Sequence, residues 1–112
     1  MPEQVCEVVI TAPDPNWLAS FARELVDLRL CAGGHTINEI SSVFRWRGEV
    51  NEVQEARVAL HTRTAHVSEI VRLTNERHPY EVPCVVAWPI ESGNPTYISW
   101  IISETREPGS QS

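Results

Sequence analysis

The sequence predicts an α+β domain, with helices packed on one antiparallel sheet. Three observations predict it. Short β-branched runs alternate with stretches whose apolar residues recur at helical spacing. Two of those runs meet across Arg47-Gly48, which makes them arms of one long hairpin. Proline and glycine stand at cap and turn positions between the elements.

Residues 5–11 (VCEVVIT) are short, apolar and β-branched, and so predict a strand. Asp14 is a suitable N-cap and Pro15 fits the first position of a helix. Trp17, Phe21, Leu25 and Leu28 carry that helix to about residue 31, and Gly33-Gly34 is expected to stop it. Residues 35–46 (HTINEISSVFRW) read as a strand with imperfect alternation, explained by a bulge or by burial of both faces. A second long strand follows over about 49–62, with Ala56, Val58 and Leu60 facing one way.

Thr64 is the expected cap of a second helix striped by Val67, Ile70, Val71 and Thr74, and ended by His78-Pro79. Residues 84–88 (CVVAW) predict another strand. Asn94 caps and Pro95 begins a last helix, with Tyr97, Ile98, Trp100 and Ile101 expected on its inner side. The order β-α-β-β-α-β plus a terminal helix is the ferredoxin-like arrangement, with helices on one face of the sheet. Apolar residues on both faces of the long hairpin imply that other subunits cover the second face. A single domain is expected over 1–106, with a frayed tail at 107–112.

A chain of 112 residues is one domain's worth. Four Trp are many for this length and either fill a small core or line a subunit interface. The formal net charge is −6, and the cationic residues are scattered. That distribution argues against nucleic-acid binding, which needs a basic cluster to neutralise phosphates. No apolar run approaches the roughly 20 residues that span a membrane. Met1, Pro2, Glu3 and Gln4 lack the basic and apolar regions of a secretory signal, so a cytoplasmic location is expected. An odd number of cysteines, Cys6, Cys31 and Cys84, argues against a disulfide framework.

Four segments carry a signature: VVITAPD at 8–14, SVFRWRGEV at 42–50, HPYEVP at 78–83 and PIESGNPTYISWI at 89–101. In this order and spacing the chain resembles the CutA divalent-cation-tolerance family across about residues 5–106. The resemblance implies a ferredoxin-like homotrimer, in an architecture shared with PII signalling proteins. In that assembly the long hairpins of neighbouring subunits extend one another's sheets. It also implies an association with divalent-cation tolerance and copper binding. The chain departs from the family pattern at four places. Gly33 stands where the family has Cys, with Cys31 two places earlier, and His35 stands where it has Asn. His61 replaces the usual Lys, and Cys84 replaces the Glu that commonly follows HPYEVP.

His35 and His61 lie nearly the same distance either side of the hairpin turn. A one-residue bulge would set them opposite each other, with Cβ atoms roughly 5 Å apart. Two imidazoles at that spacing suit Cu, Zn or Ni, and Cys31 is a candidate third ligand. The alternative is two separate polar residues at a strand end. Cys6 and Cys84 read as small buried hydrophobes or as thiolate ligands.

In the family the HPYEVP region lies near the intersubunit cleft. His78, Tyr80 and Glu81 are therefore candidates for holding a small polar ligand or cation there, with Trp46 and Tyr97 lining the same cleft. Each has a structural alternative: Tyr80 can pack, Glu81 can pair with an Arg across the interface, and Trp100 can fill the core.

No nucleophile–base–orienter set and no paired carboxylates are visible, so an enzyme is not expected. The expected function is a trimeric protein that binds copper or other divalent metal ions, with no obligatory cofactor. The alternative is a PII-like sensor binding a small metabolite between subunits.

Overall fold

The structure is a computed structural model and describes residues 3–109. The elements are β1 (Val5–Ala12), α1 (Pro15–Asp27), β2 (Gly33–Trp46), β3 (Glu49–Arg63), α2 (Val67–Arg77), β4 (Val85–Pro89) and α3 (Pro95–Glu104). A 3-10 turn over Thr64–His66 leads into α2. The strands form one antiparallel sheet in the order β2-β3-β1-β4, the order of a ferredoxin-like α+β fold.

Period-2 alternation divides the sheet into two faces. Cys6, Val8, Ile10 and Ala12 of β1 lie beside Ala56, Val58 and Leu60 of β3 in one core. Leu18, Phe21 and Leu25 of α1 and Ile70 and Leu73 of α2 close over this inner face. Each fully buried leucine there contributes about 1.5–3 kcal/mol relative to an exposed one. The stripe expected on α2 shifts slightly: Ile70, Leu73 and Thr74 are buried, while Val71 is half-buried.

The caps at Asp14 and Asn94 form as expected. Asp14 Oδ1 accepts from the Asn16 N–H at 2.9 Å, and Asn94 Oδ1 from the Thr96 N–H at 3.2 Å. Thr64 does not cap α2 with its side chain. It opens the 3-10 turn instead, and His66 precedes the helix with no side-chain cap.

α1 ends earlier than expected, and not at Gly33-Gly34. Arg29 takes a left-handed conformation (φ 59°). The Arg29 N–H bonds the Val26 carbonyl and the Leu30 N–H bonds the Leu25 carbonyl, a Schellman motif closed by arginine instead of glycine. The Arg29 guanidinium offsets the strain by donating to the Ser103 and Glu104 carbonyls. The two glycines are instead the first residues of β2, and close approach requires the second of them. A Cβ on Gly34 would stand 2.3 Å from the Ala59 carbonyl oxygen, and one on Gly33 would meet the Trp100 ring at 3.3 Å.

At the hairpin turn Arg47 (φ 51°) and Gly48 (φ 84°) are both left-handed, the backbone of a two-residue turn that matches strand twist. The bulge expected in β2 lies between Ile37 and Ile40. β1 ends opposite Ala56, so the distal hairpin, residues 40–55, projects beyond it.

α3 does not join α1 and α2. It packs on the outer face of the sheet, where only Ile101 is buried and Ile98 is half-buried. Tyr97 and Trp100 remain 37% and 40% exposed, so Trp100 is not a core residue. The buried Arg63 anchors the C-terminal end of α3 by donating to the Ile102 and Thr105 carbonyls and to the Thr105 hydroxyl. Of the tail expected at 107–112, residues 110–112 lie outside the described residues, as do Met1 and Pro2. Glu107 is tied back to Arg63 at 3.6 Å. Among the described residues, no helix is long and apolar enough to cross a membrane.

Candidate functional site

Two places on the hairpin gather polar and aromatic side chains. The first is its base, on the outer face. The register sets Gly33 opposite His61, His61 opposite Glu7 and Glu7 opposite Trp88, so a row of four strands carries these residues on one face. His61 is held at both nitrogens. Nε2 lies 2.8 Å from Glu7 Oε2, and Nδ1 lies 2.6 Å from the Tyr97 hydroxyl. A carboxylate only accepts, so Nε2 carries the hydrogen, and in the neutral imidazole Nδ1 presents its lone pair to the Tyr97 O–H. Burial, and then the charge of Glu7, push the Tyr97 phenol up.

His35 does not face His61 directly. The bulge moves the register the other way and sets His35 opposite Ala59. The two histidines are diagonal neighbours on the same face, with ring centroids 6.1 Å apart. His35 is exposed and makes no hydrogen bond among the described residues.

Cys31 is not with them. It lies in the inner core beside Cys6, across the sheet from His61, with 1% of its surface exposed. Burial, and then the nearby Cys6, push its thiol far up, which disfavours the thiolate a metal needs. Burial likewise raises Cys6. Among the described residues no three His, Cys, Asp or Glu side chains converge on one point. The donors that fit a borderline divalent cation are the imidazoles of His61 and His35, with Glu7 behind His61 as its orienting carboxylate.

The second place is the groove where the 79–84 loop packs against the projecting hairpin. Its volume is about 780 Å³, and Trp46, Phe44, Tyr80, Glu81 and Cys84 line it. Tyr80 donates its hydroxyl to Glu55 Oε2 at 2.9 Å, and Arg47 bonds Glu81 Oε2 at 2.8 Å. Glu81 therefore finds its arginine within the same chain. Arg47 also lies over the Trp46 ring, 5.2 Å from its centroid.

His78 and Tyr97, expected at an intersubunit cleft, do not line this groove. His78 is buried, its Nδ1 accepting from the Tyr80 N–H and its Nε2 donating to the Thr11 carbonyl. It shapes the loop and has no nitrogen left for a ligand. Tyr97 stands at the hairpin base with His61, because α3 packs on the outer face. Cys84 is exposed, not a buried hydrophobe.

Sequence reasoning missed Glu7 as the partner of His61. The signal was a single charged residue inside the otherwise apolar run VCEVVIT. Glu55, which accepts from the Tyr80 hydroxyl, is only 5% exposed.

Comparison with known proteins places this geometry. The family described as CutA1 divalent ion tolerance protein matches residues 6–104. The divalent-cation tolerance protein CutA of Thermus thermophilus is 36% identical over 98 residues, covering 88% of this chain and 95% of that protein. Protein CutA of Mus musculus is 33% identical over 101 residues, covering 90% of this chain and 57% of that protein. The chain thus spans little more than half the length of its mammalian relatives.

Among solved structures, the Thermus thermophilus divalent cation tolerance protein superposes with a TM-score of 0.87 at 34% identity, covering 91% of this chain and 99% of that one. CutA1 of Oryza sativa reaches 0.90 at 28% identity, covering 94% of this chain and 96% of that one. The chain belongs to the CutA1 divalent ion tolerance family.

Proposed function

We propose that this chain acts in tolerance to divalent cations by binding them, copper among them, as a cytoplasmic homotrimer. The names of its relatives point to divalent cations. The observation that carries the reading is the pair of imidazoles at the hairpin base, with Glu7 holding His61 in one tautomer. Imidazole suits Cu, Zn and Ni, and a carboxylate behind the ring raises its basicity. A bound cation would be held by His61 and His35, with water completing its shell.

Trimerisation is supported by the apolar side chains that a single chain leaves open. Val43 and Val50 are 68% and 62% exposed on the projecting hairpin, and Trp88 is 43% exposed on the edge strand β4. Large apolar side chains left this exposed are expected to be covered by other copies.

The reading is of a binding protein, not an enzyme. Glu7, His61 and Tyr97 do form a carboxylate–imidazole–hydroxyl chain. Its terminal phenol is raised, however, which makes it a proton holder and not an activated nucleophile.

Isothermal titration of Cu(II), Zn(II) and Ni(II) at pH 7 and pH 5.5 tests the reading. Saturable binding that weakens at the lower pH is expected, because imidazole must be neutral to bind. Absence of binding at both pH values would refute it.

The groove supports a second reading, a sensor of a small metabolite. Its size is that of ordinary ligand sites, and it combines an aromatic wall of Trp46 and Tyr80 with the charges of Arg47 and Glu81. Thermal-shift screening with nucleotides and organic acids tests it, since a ligand raises stability by mass action.

A further inference from the structure

We propose that Tyr97 is a gate on His61: a divalent cation taken by His61 and His35 must displace the Tyr97 hydroxyl, and occupancy thereby loosens the N-terminal half of α3 from the sheet. This rests on the cation-binding reading above and adds to it how binding is opposed and transmitted.

His61 has a single available lone pair. Glu7 takes the Nε2 hydrogen at 2.8 Å, so Nδ1 is the only nitrogen that can ligate. A histidine whose far N–H is given to a carboxylate is the usual arrangement behind a metal-bound imidazole. Here, however, the Tyr97 O–H occupies the Nδ1 lone pair at 2.6 Å. One lone pair cannot serve both a hydroxyl and a cation. The Tyr97 hydroxyl therefore competes directly with a cation for that lone pair. His35 has no such competitor. It is exposed, forms no hydrogen bond among the described residues, and sits 6.1 Å ring to ring from His61.

Displacement has a route outward. Tyr97 stacks on Trp100 with ring centroids 5.4 Å apart and planes 26° apart. Trp100 in turn covers Gly33, the residue opposite His61 in the sheet. The C-terminal half of α3 is secured separately, by Ile101 in the interior and by Arg63 on the Ile102 and Thr105 carbonyls. Release of Tyr97 therefore frees one end of the helix while the other stays anchored, and it moves a tryptophan as it does so.

The test is titration of Zn(II), which is redox-silent, into the full chain at pH 7 by calorimetry and tryptophan emission, for wild type, Tyr97→Phe, His35→Ala and His61→Ala. Thermal unfolding of each confirms that it folds. Tyr97→Phe is expected to bind Zn(II) about fivefold more tightly, the worth of one ordinary hydrogen bond. Both histidine variants are expected to lose that binding. Wild type is expected to shift its tryptophan emission on binding, and Tyr97→Phe to shift less. Binding that appears only in Tyr97→Phe would overturn the proposal, because a wild type that never binds cannot loosen α3 by occupancy.

If Tyr97→Phe is less stable but binds no more tightly, the tyrosine is merely structural and the gate is overturned. If Zn(II) binding survives in both histidine variants, the gate and the His61–His35 site fall, while divalent-cation binding by the chain stands. If neither wild type nor Tyr97→Phe binds, both fall.

Discussion

The hydroxyl of Tyr80 donates to Glu55 across 2.9 Å and ties the 79–84 loop to the hairpin where it runs beyond β1. Glu55 is only 5% exposed, so its carboxylate depends on that donor. Tyr80→Phe keeps the ring and leaves a buried acceptor unpaired, which costs about 1–3 kcal/mol. Thermal unfolding at pH 7 should show a lowered Tm, with little change in the groove's aromatic wall. An unchanged Tm would mean that water replaces the hydroxyl without loss.

The same contact sets a response to alkaline pH. Burial, followed by the hydrogen bond and charge of Glu55, pushes the Tyr80 phenol up to about 12. The ordinary value near 10 applies to the unfolded chain. A group raised on folding stabilises the protein fully below its unfolded value and loses that contribution as pH rises through its folded one. Stability should therefore fall between about pH 10 and 12, and less steeply in Tyr80→Phe. Tyr97 is raised as well, so both tyrosines of the chain share the direction. Absorbance at the phenolate band should show no tyrosine titrating at its ordinary value in the folded protein, and both should return to it in denaturant.

Gly34 and Gly33 are adjacent in the chain but should respond differently to alanine. At Gly34 the added Cβ meets a backbone oxygen at 2.3 Å and the Leu60 Cα at 3.0 Å, and neither can move without distorting the β2–β3 pairing. Gly34→Ala should cost about 3 kcal/mol or more, in the range of severe backbone effects. At Gly33 the contact is a ring edge at 3.3 Å, which a small tilt of Trp100 relieves. Gly33→Ala should cost under about 1 kcal/mol. Denaturant unfolding of the two variants side by side measures the contrast.

Arg63 holds the end of α3. Its side chain is 6% exposed and donates to two carbonyls, a hydroxyl and the Glu3 carboxylate. Arg63→Ala should cost about 3–5 kcal/mol, because the charge network and the helix end lose their donors together. Lysine should recover only part, since a point charge cannot reproduce the guanidinium fork. Hydrogen exchange should show the loss concentrated in the amides of α3. Loss spread evenly over the chain would assign Arg63 a global role instead.

The three thiols should separate by rate. Cys84 is exposed, whereas Cys6 and Cys31 are buried and their thiols raised. An aromatic disulfide reagent should react quickly with one thiol per folded chain and with all three after unfolding. Cys84→Ser should abolish the fast phase.

The strands, their order, the helix starts at Asp14 and Asn94 and the hairpin turn were legible in the residues, and the bulge was one of two readings of the slipped alternation. Each follows from a signal carried within a few positions: a capping oxygen, a proline at the first helical turn, a left-handed pair, an alternation that slips once. The nearness of His35 and His61 was legible for the same reason, because both are counted from one turn. Their exact register was not. A bulge can shift pairing in either direction, and the sequence does not say which.

What tertiary contact settled was everything that depends on partners far along the chain. Arg29, not a glycine, ends α1, because carbonyls of α3 some 74 and 75 positions away hold its side chain. α3 lies on the outer face, so Tyr97 reaches His61 and Trp100 stays exposed, although its apolar stripe reads like that of a core helix. Cys31 and His61 fall on opposite faces of the sheet, and Glu7, which no spacing rule links to His61, becomes its partner. Local propensity and periodicity specify which segments form elements and which residues share a face. They do not specify which face a third helix chooses. Burial of apolar surface and the pairing of polar groups across the whole chain decide that together, and the candidate site was assembled there.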